Sequence, residues 1–253
     1  MEPGGQGANL AVRLARRGVS VRLTCALADD MPGAMVRAAL SGDGVKADAR
    51  ESPTTGVVVA LIDVDGDRTM LSQRVPLLGF DHEVPEAAWA VISGYLLLEP
   101  GAPRLPALVA RSQRRVVAGC AITLAQVEAW SSALRALAPD LLVLNSDEMR
   151  TLAGAETAAA IVVVTDAEGA TATVEGRSVR VDAPAGEPAT DTTGAGDAFV
   201  AALIADLLDE PWPPNEGALE RSMHAATRLA SAVARSRGAQ ARVLDEPVVR
   251  LPT

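Results

Sequence analysis

The sequence predicts an α/β fold: a mostly parallel central sheet with helices on both faces and a small β lid, in one domain spanning residues 1–253. Three observations predict it. Strand-like and helix-like segments alternate along most of the chain, the pattern of parallel strands joined by helical crossovers. A β-rich stretch interrupts that alternation early, with the hairpin signal Asp65-Gly66 inside it. Hydrophobic residues make up 49% of the chain, enough for a sizeable core at this length.

Gly7 to Arg17 reads as a short helix with small and apolar residues at Ala8, Ala11, Leu14 and Ala15, stopped by Gly18. Val19 to Leu27 alternates apolar and polar, as a half-buried strand does. Asp29-Asp30 leads into Pro32-Gly33 and a helix ending near Leu40, followed by the turn Ser41 to Gly44. Thr54 to Val64 is β-rich and returns through Arg68 to Ser72, which places the lid at about residues 47–75. Trp89 to Leu98 reads as a buried strand, Leu105 to Arg111 as a helix and Arg115 to Ala118 as a strand. Leu124 to Leu137 is helical, Leu141 to Leu144 a strand, Asp147 to Ala153 helical, and Ile161 to Thr165 a β-branched strand. Thr171 to Val174 and Ser178 to Val181 form a second hairpin through Glu175-Gly176-Arg177. Ala195 to Leu208 and Asn215 to Arg235 are the last long helices.

Composition excludes several classes of function. The net charge of −9 argues against nucleic acid or an anionic membrane as the main partner, because both need a basic surface. An acidic protein can still bind ATP through local N–H groups and Mg²⁺. No apolar run approaches the roughly 20 residues of a membrane span. Met1 to Gly5 lacks the basic start and apolar run of a signal peptide, so the expected location is the cytoplasm. Cys25 and Cys120 read as small buried apolar residues rather than a disulfide framework or zinc site. His82 and His224 have no second ligand at metal spacing. Lys46 is the sole lysine and no Gly-Lys-Ser/Thr occurs, which excludes a Walker-type loop and all but excludes a catalytic lysine. Gly4-Gly5-Gln6-Gly7 lacks the spacing of a dinucleotide fingerprint.

The segment Asp191-Thr192-Thr193-Gly194-Ala195-Gly196-Asp197-Ala198-Phe199 carries the chemistry. Two glycines flanking an alanine let the backbone approach a ligand closely. The run after them is helical, so the loop sits at a helix N-terminus, where free N–H groups and the macrodipole attract anions. A carboxylate beside such an anion hole can take a proton from an attacking hydroxyl while the N–H groups stabilise a transferring phosphoryl group. An acidic residue in a first helical turn also serves as a plain cap.

That segment resembles the C-terminal signature of the PfkB/ribokinase family of carbohydrate kinases. Gly4-Gly5-Gln6-Gly7-Ala8-Asn9 resembles the family's sugar-binding glycine motif, Asn145-Ser146-Asp147-Glu148 its Asn-x-x-Glu motif, and Val162 to Gly169 its nucleotide-side strand and turn. The four matches occur in the family's order across the chain. The resemblance implies Asp197 as general base, with Gly194, Ala195 and Gly196 supplying the anion hole. It implies Gly4, Gly5 and Asn9 as sugar contacts and places Glu99 within reach of the sugar. ATP would meet Asn145, Thr165, Gly169, Gly194 and Gly196. Glu148, with Asn145, would organise Mg²⁺ through water, and Asp191 with the Thr193 backbone would hold a monovalent cation such as K⁺. The expected substrate is a sugar or sugar-like molecule, with a nucleoside as the alternative within the class. The scarcity of aromatics, one Tyr, two Phe and three Trp, leans toward a sugar. Some relatives dimerise through their lids, so a homodimer is a further expectation.

The sequence also departs from the family pattern. It starts almost at the glycine motif, so the usual first strand and its sugar-binding aspartate are expected to be missing, with a cost in stability or activity. Gln6 stands where many members have lysine, and residues 115–122 lack the usual aspartate after the strand. Little room is left for a helix between Gly154 and Ile161, and the turn Thr165 to Gly169 is one residue short. These departures define the second class of reading: a kinase-like ligand-binding protein with impaired catalysis.

Overall fold

The computed structural model describes residues 2–62, 68–77, 84–152, 154 and 158–243. Along the chain run α1 (Gln6–Arg16), β1 (Arg22–Leu27), α2 (Met31–Gly42), β2 (Lys46–Glu51), β3 (Val57–Ile62), β4 (Arg68–Gln73) and β5 (Ala87–Ser93). Then come α3 (Leu105–Leu108), β6 (Ser112–Ala118), α4 (Val127–Leu137), β7 (Leu141–Asn145), α5 (Ser146–Leu152) and β8 (Ile161–Asp166). The hairpin β9 (Gly169–Val174) and β10 (Arg177–Asp182) precedes the long helices α6 (Ala195–Leu207) and α7 (Glu216–Ala234).

The main sheet has six strands in the order β10-β9-β8-β7-β6-β5. β5 to β8 are parallel, β9 runs antiparallel to β8, and β10 to β9. Strand residues divide between two cores. Val116, Ala118, Leu141 and Val143 face one with α1, α6 and α7; Val117, Leu142 and Leu144 face the other with Trp130, Leu134 and Leu137 of α4. A strand buried on both faces has no polar side to show, which is why β7 reads as an unbroken apolar run. The expected sheet with helices on both faces is therefore present.

α6 is apolar on every side: each residue from Ala198 to Ile204 is at most 4% exposed. A helix buried all round has no freedom to roll. Its first turn, and with it Asp197, is held by that packing against the sheet, α1 and α7.

β1 and β2 form a separate parallel pair. Ala8, Ala11 and Val12 of α1 cluster beside it with Leu40 of α2 and Val45. Residues 46–51, the start of the segment expected to be lid, thus pair with β1, and the lid hairpin itself is β3–β4. Val58, Val59, Leu61, Met70 and Leu71 stand about half exposed on that hairpin. Its Asp65-Gly66 turn lies outside the described residues, as does His82. The lid root is tied by Asp30, which caps α2 by accepting from the Gly33 N–H at 2.8 Å. The same carboxylate accepts from the Thr55 N–H and hydroxyl at 2.9 and 2.7 Å.

The expected strand Trp89 to Leu98 is two elements. β5 ends at Ser93, and Gly94–Leu98 is a 3₁₀ helix. The chain must turn at Gly94 because its backbone passes against the end of β6: a Cβ there would sit 2.7 Å from the Ala118 carbonyl oxygen. Trp130 Nε1 donates to the Gly94 carbonyl at 2.9 Å and fixes the turn.

Candidate active site

The site begins with Gly194, the residue before α6. Its φ of +81° is a conformation that glycine adopts without strain. A Cβ there would also lie 2.7 Å from the Ala239 carbonyl oxygen, so glycine is required on two counts. The Ala195 N–H bonds back to Thr192 and the Ala198 N–H to Gly194. Among the described residues, the N–H groups of Gly196 and Asp197 have no main-chain acceptor, as the first turn of a helix leaves them. Nothing lies within 4 Å of where a Gly196 Cβ would be, so the helix end opens onto free space there. Free N–H groups at a helix start are of the kind that suits an anion.

Asp197 sits in that first turn, half-buried. Burial pushes its carboxyl up from the ordinary 3.8 to about 6, while a hydrogen bond from Asn9 and the nearby Arg13 charge act the other way. Asn9 Nδ2 donates to Asp197 Oδ2 at 2.7 Å. Asn9 is only 5% exposed, and its oxygen accepts from Gln240 Nε2 at 3.1 Å. The residue expected to face a sugar is thus placed against the expected base.

Asn145 and Glu148 form a reciprocal cap on α5. Asn145 Oδ1 accepts from the Asp147 and Glu148 N–H groups, and Glu148 Oε2 accepts from the Asn145 N–H at 2.9 Å. Burial raises the Glu148 carboxyl, and the Asp147 and Asp197 charges add to that. The Asp197 contribution puts the two carboxylates in one electrostatic locus.

A cavity of about 520 Å³ lies alongside the loop. Thr165 and Gly169 line it from the β8–β9 turn, Gly196 and Phe199 from α6, and Ala230 and Ala234 from α7. Gly169 is irreplaceable there, with φ +153° and a Cβ that would sit 2.1 Å from the Val181 carbonyl oxygen. The short turn Thr165 to Gly169 is a tight hairpin braced by Arg180 on Asp166 at 2.7 and 3.0 Å. Thr165 Oγ1 donates to the Leu144 carbonyl at 3.3 Å.

Asp191 shapes the approach to the loop by accepting from the Thr193 N–H at 2.9 Å and the Gly238 N–H at 3.1 Å. Both oxygens of Glu99 accept from the Leu77 N–H at 3.1 and 3.0 Å, so Glu99 anchors the segment after the lid. Gly4 and Gly5 are exposed and border open space, and Gly5 has φ +96°. Sequence reading missed Gln240, Arg13 and the bridging role of Gln6. Gln6 donates to the Gly119 carbonyl at 2.7 Å and accepts from Ser93 Oγ at 2.5 Å. Arg13 carried a legible signal, a charge four residues after Asn9 on the helix face that also carries Gln6 and Arg16. Gln240 carried none, since its contact depends on a separation of 231 residues.

The profile of the pfkB family carbohydrate kinases matches residues 1–246. The chain belongs to the pfkB family of carbohydrate kinases. The match covers nearly all the described structure, including the glycine loop and both carboxylates. Among solved structures, fructokinase with bound ATP from Xylella fastidiosa has a TM-score of 0.80 at 19% identity, over 94% of this chain and 86% of that one. Fructokinase from Vibrio cholerae O395, with fructose, ADP and calcium bound, gives 0.79 at 21% identity over 94% and 86%. Adenosine kinase from Sinorhizobium meliloti gives 0.79 at 20% identity over 96% and 81%. At these identities the likeness is one of fold, and the fold is ribokinase-like. A comparison with curated protein sequences gives no match. No described helix is long and apolar enough to cross a membrane.

Proposed function

We propose that this pfkB-family chain transfers the γ-phosphoryl group of ATP to a hydroxyl of a sugar or sugar-like molecule, with Asp197 as the base. One observation carries the reading. A half-buried carboxylate with a raised affinity for protons adjoins N–H groups without main-chain partners at the start of a buried helix, and the preceding residue, Gly196, lines a cavity of about 520 Å³. A base whose carboxyl titrates near 6 is deprotonated at neutral pH yet basic enough to receive the hydroxyl proton. The Gly196 and Asp197 N–H groups would take up charge on the transferring group.

ATP fits the cavity with its phosphates toward Gly194 and Gly196 and its base between the β8–β9 turn and α7. The acceptor fits beside Gly4, Gly5 and Asn9, beneath the β3–β4 hairpin, whose closure would exclude water. Among the described residues no group of three or more metal-ligating side chains occurs. A divalent cation would therefore rest mainly on phosphate oxygens, the usual mode for Mg²⁺, with Glu148 contributing through water. The mutual repulsion of Glu148 and Asp197 favours a cation between them. Bound Mg²⁺ supplies charge neutralisation of the phosphates. The Asp191–Thr193 turn is the proposed place for K⁺.

The test is ATP-dependent phosphorylation across pentoses, hexoses and nucleosides with Mg²⁺, with Asp197→Asn as control. Turnover on at least one acceptor, lost in Asp197→Asn, supports the reading. A folded sample that binds a sugar but phosphorylates none of the panel would favour a kinase-like binding protein.

A further inference from the structure

We propose that Gln240 is a positioning residue for Asp197, acting through the side-chain amide of Asn9. The proposal rests on the reading of Asp197 as the base and extends it to a segment beyond the last helix.

An asparagine amide can present either end to a neighbour. Asn9 is buried, and its two ends meet groups of fixed character. Asp197 offers carboxylate oxygens, which accept; Gln240 offers Nε2, which only donates. With Gln240 donating to Asn9 Oδ1, the Asn9 nitrogen is turned toward Asp197. Without that donor the Asn9 oxygen loses its partner, and only the bond to Asp197 itself is left to hold the amide in the productive orientation.

Gln240 is itself held. It belongs to a strap, Gly238-Ala239-Gln240, that crosses between α1 and the glycine loop. Arg13 donates to the Ala239 carbonyl at 3.0 Å and Arg16 to the Gln240 carbonyl at 2.9 Å. Arg16 is steadied in turn by Asp43 through two contacts of 2.9 and 3.0 Å. At its other end the Gly238 N–H donates to Asp191, and Ala239 packs on Gly194. The strap therefore sets the distance between the helix that carries Asn9 and the loop that carries the base. The charged groups facing Asp197 are Arg13 from α1 and Glu148 from α5, among the described residues. The hydrogen bonds seen at the Asn9 amide are those to Asp197 and from Gln240, so Gln240 is the group besides the base itself that sets its orientation.

The experiment is a carbon-detected NMR titration of the Asp197 carboxyl, assigned with Asp197→Asn, in wild type, Gln240→Met and Gln240→Glu. Gln240→Met keeps the length and removes the donor; Gln240→Glu replaces it with an acceptor. The Asp197 midpoint should rise by roughly one pH unit in Gln240→Met and further in Gln240→Glu. The Asn9 side-chain amide protons should follow the Asp197 titration in wild type and stop following it in Gln240→Met. On a phosphorylated acceptor, Gln240→Met should lower kcat about fivefold at pH 6, recover at pH 8 and leave the KM for ATP unchanged. A merely structural role would give a loss that higher pH does not repair. Folded variants that titrate at the wild-type pH would overturn the proposal. So would wild-type Asn9 protons indifferent to Asp197, a measurement that needs no variant. Should Asp197→Asn transfer phosphate as fast as wild type, the base reading fails, while the titration still decides whether Gln240 orients Asn9.

Discussion

Replacing Asp197 with asparagine should make the protein more stable at neutral pH, and the structure sets the size and pH dependence of the gain. The unfolded chain releases the Asp197 proton near the ordinary 3.8, the folded chain near 6. Between those values the folded state holds the extra proton. Stability therefore falls as pH rises through that window and stays reduced above it. The full difference corresponds to roughly 3 kcal/mol. Solvent at a half-buried residue weakens it, leaving about 1–3 kcal/mol. Asp197→Asn cannot take the charge, and its carbonyl oxygen still accepts from Asn9. At pH 8 the variant should melt roughly 3–9 °C above wild type, given the sensitivity expected for a chain of this size. At pH 4 the two should melt within a degree or two of each other. The assay is thermal unfolding by circular dichroism and calorimetry from pH 4 to 8 at fixed ionic strength. A variant that melts below wild type at pH 8, or an excess that is just as large at pH 4, would refute the reasoning. The predicted gain is the cost that holding a base in a desolvated helix end imposes on the fold.

Three further outcomes follow from the same geometry. The acid limb of the pH profile of kcat/KM should fall near pH 6, because the free enzyme's base is protonated below it; a limb near pH 4 would contradict the desolvated Asp197. Gly194→Ala should abolish phosphoryl transfer and lower stability by at least ~2 kcal/mol in denaturant unfolding, since it strains a φ of +81° and drives a methyl into Ala239. Asp30→Ala should raise the KM for the acceptor more than the KM for ATP in steady-state assays, because it cuts the lid root at Thr55 and not the nucleotide cavity. Equal effects on the two constants would show that the tether does not act through the lid.

Much of this was legible in the sequence because local pattern and tertiary demand agree. β7 and β8 are apolar over Leu141–Leu144 and Ile161–Val164, where the sheet is buried, and the turn glycines Gly169 and Gly194 sit where backbone geometry leaves no room for a side chain. The glycine loop and Asp197 were readable for the same reason, since loop, helix start and carboxylate are contiguous. Where contact is long-range, the sequence was silent. Gly94 ends β5 because of Ala118 and Trp130, neither of which its neighbours reveal. Residues 47–51 read as the start of the lid because they are β-forming, and the local pattern could not show that their partner is β1, across a helix. Asn145 and Glu148 illustrate a third case. Their spacing suits both a capping box and a cation site, and the structure shows the cap. Glu99 was expected within reach of the sugar from its place after a strand, and its contact with the Leu77 N–H, 22 residues away, is a long-range one that the local pattern does not announce.

The most direct test of the central claim is the rate of phosphoryl transfer by Asp197→Asn against wild type, under single-turnover conditions at pH 8. It is measured on an acceptor that wild type phosphorylates, with ATP affinity followed by calorimetry. Loss of the base predicts a fall of about 10²–10⁴-fold with ATP affinity within about twofold of wild type. A variant that transfers phosphate at the wild-type rate would contradict the account.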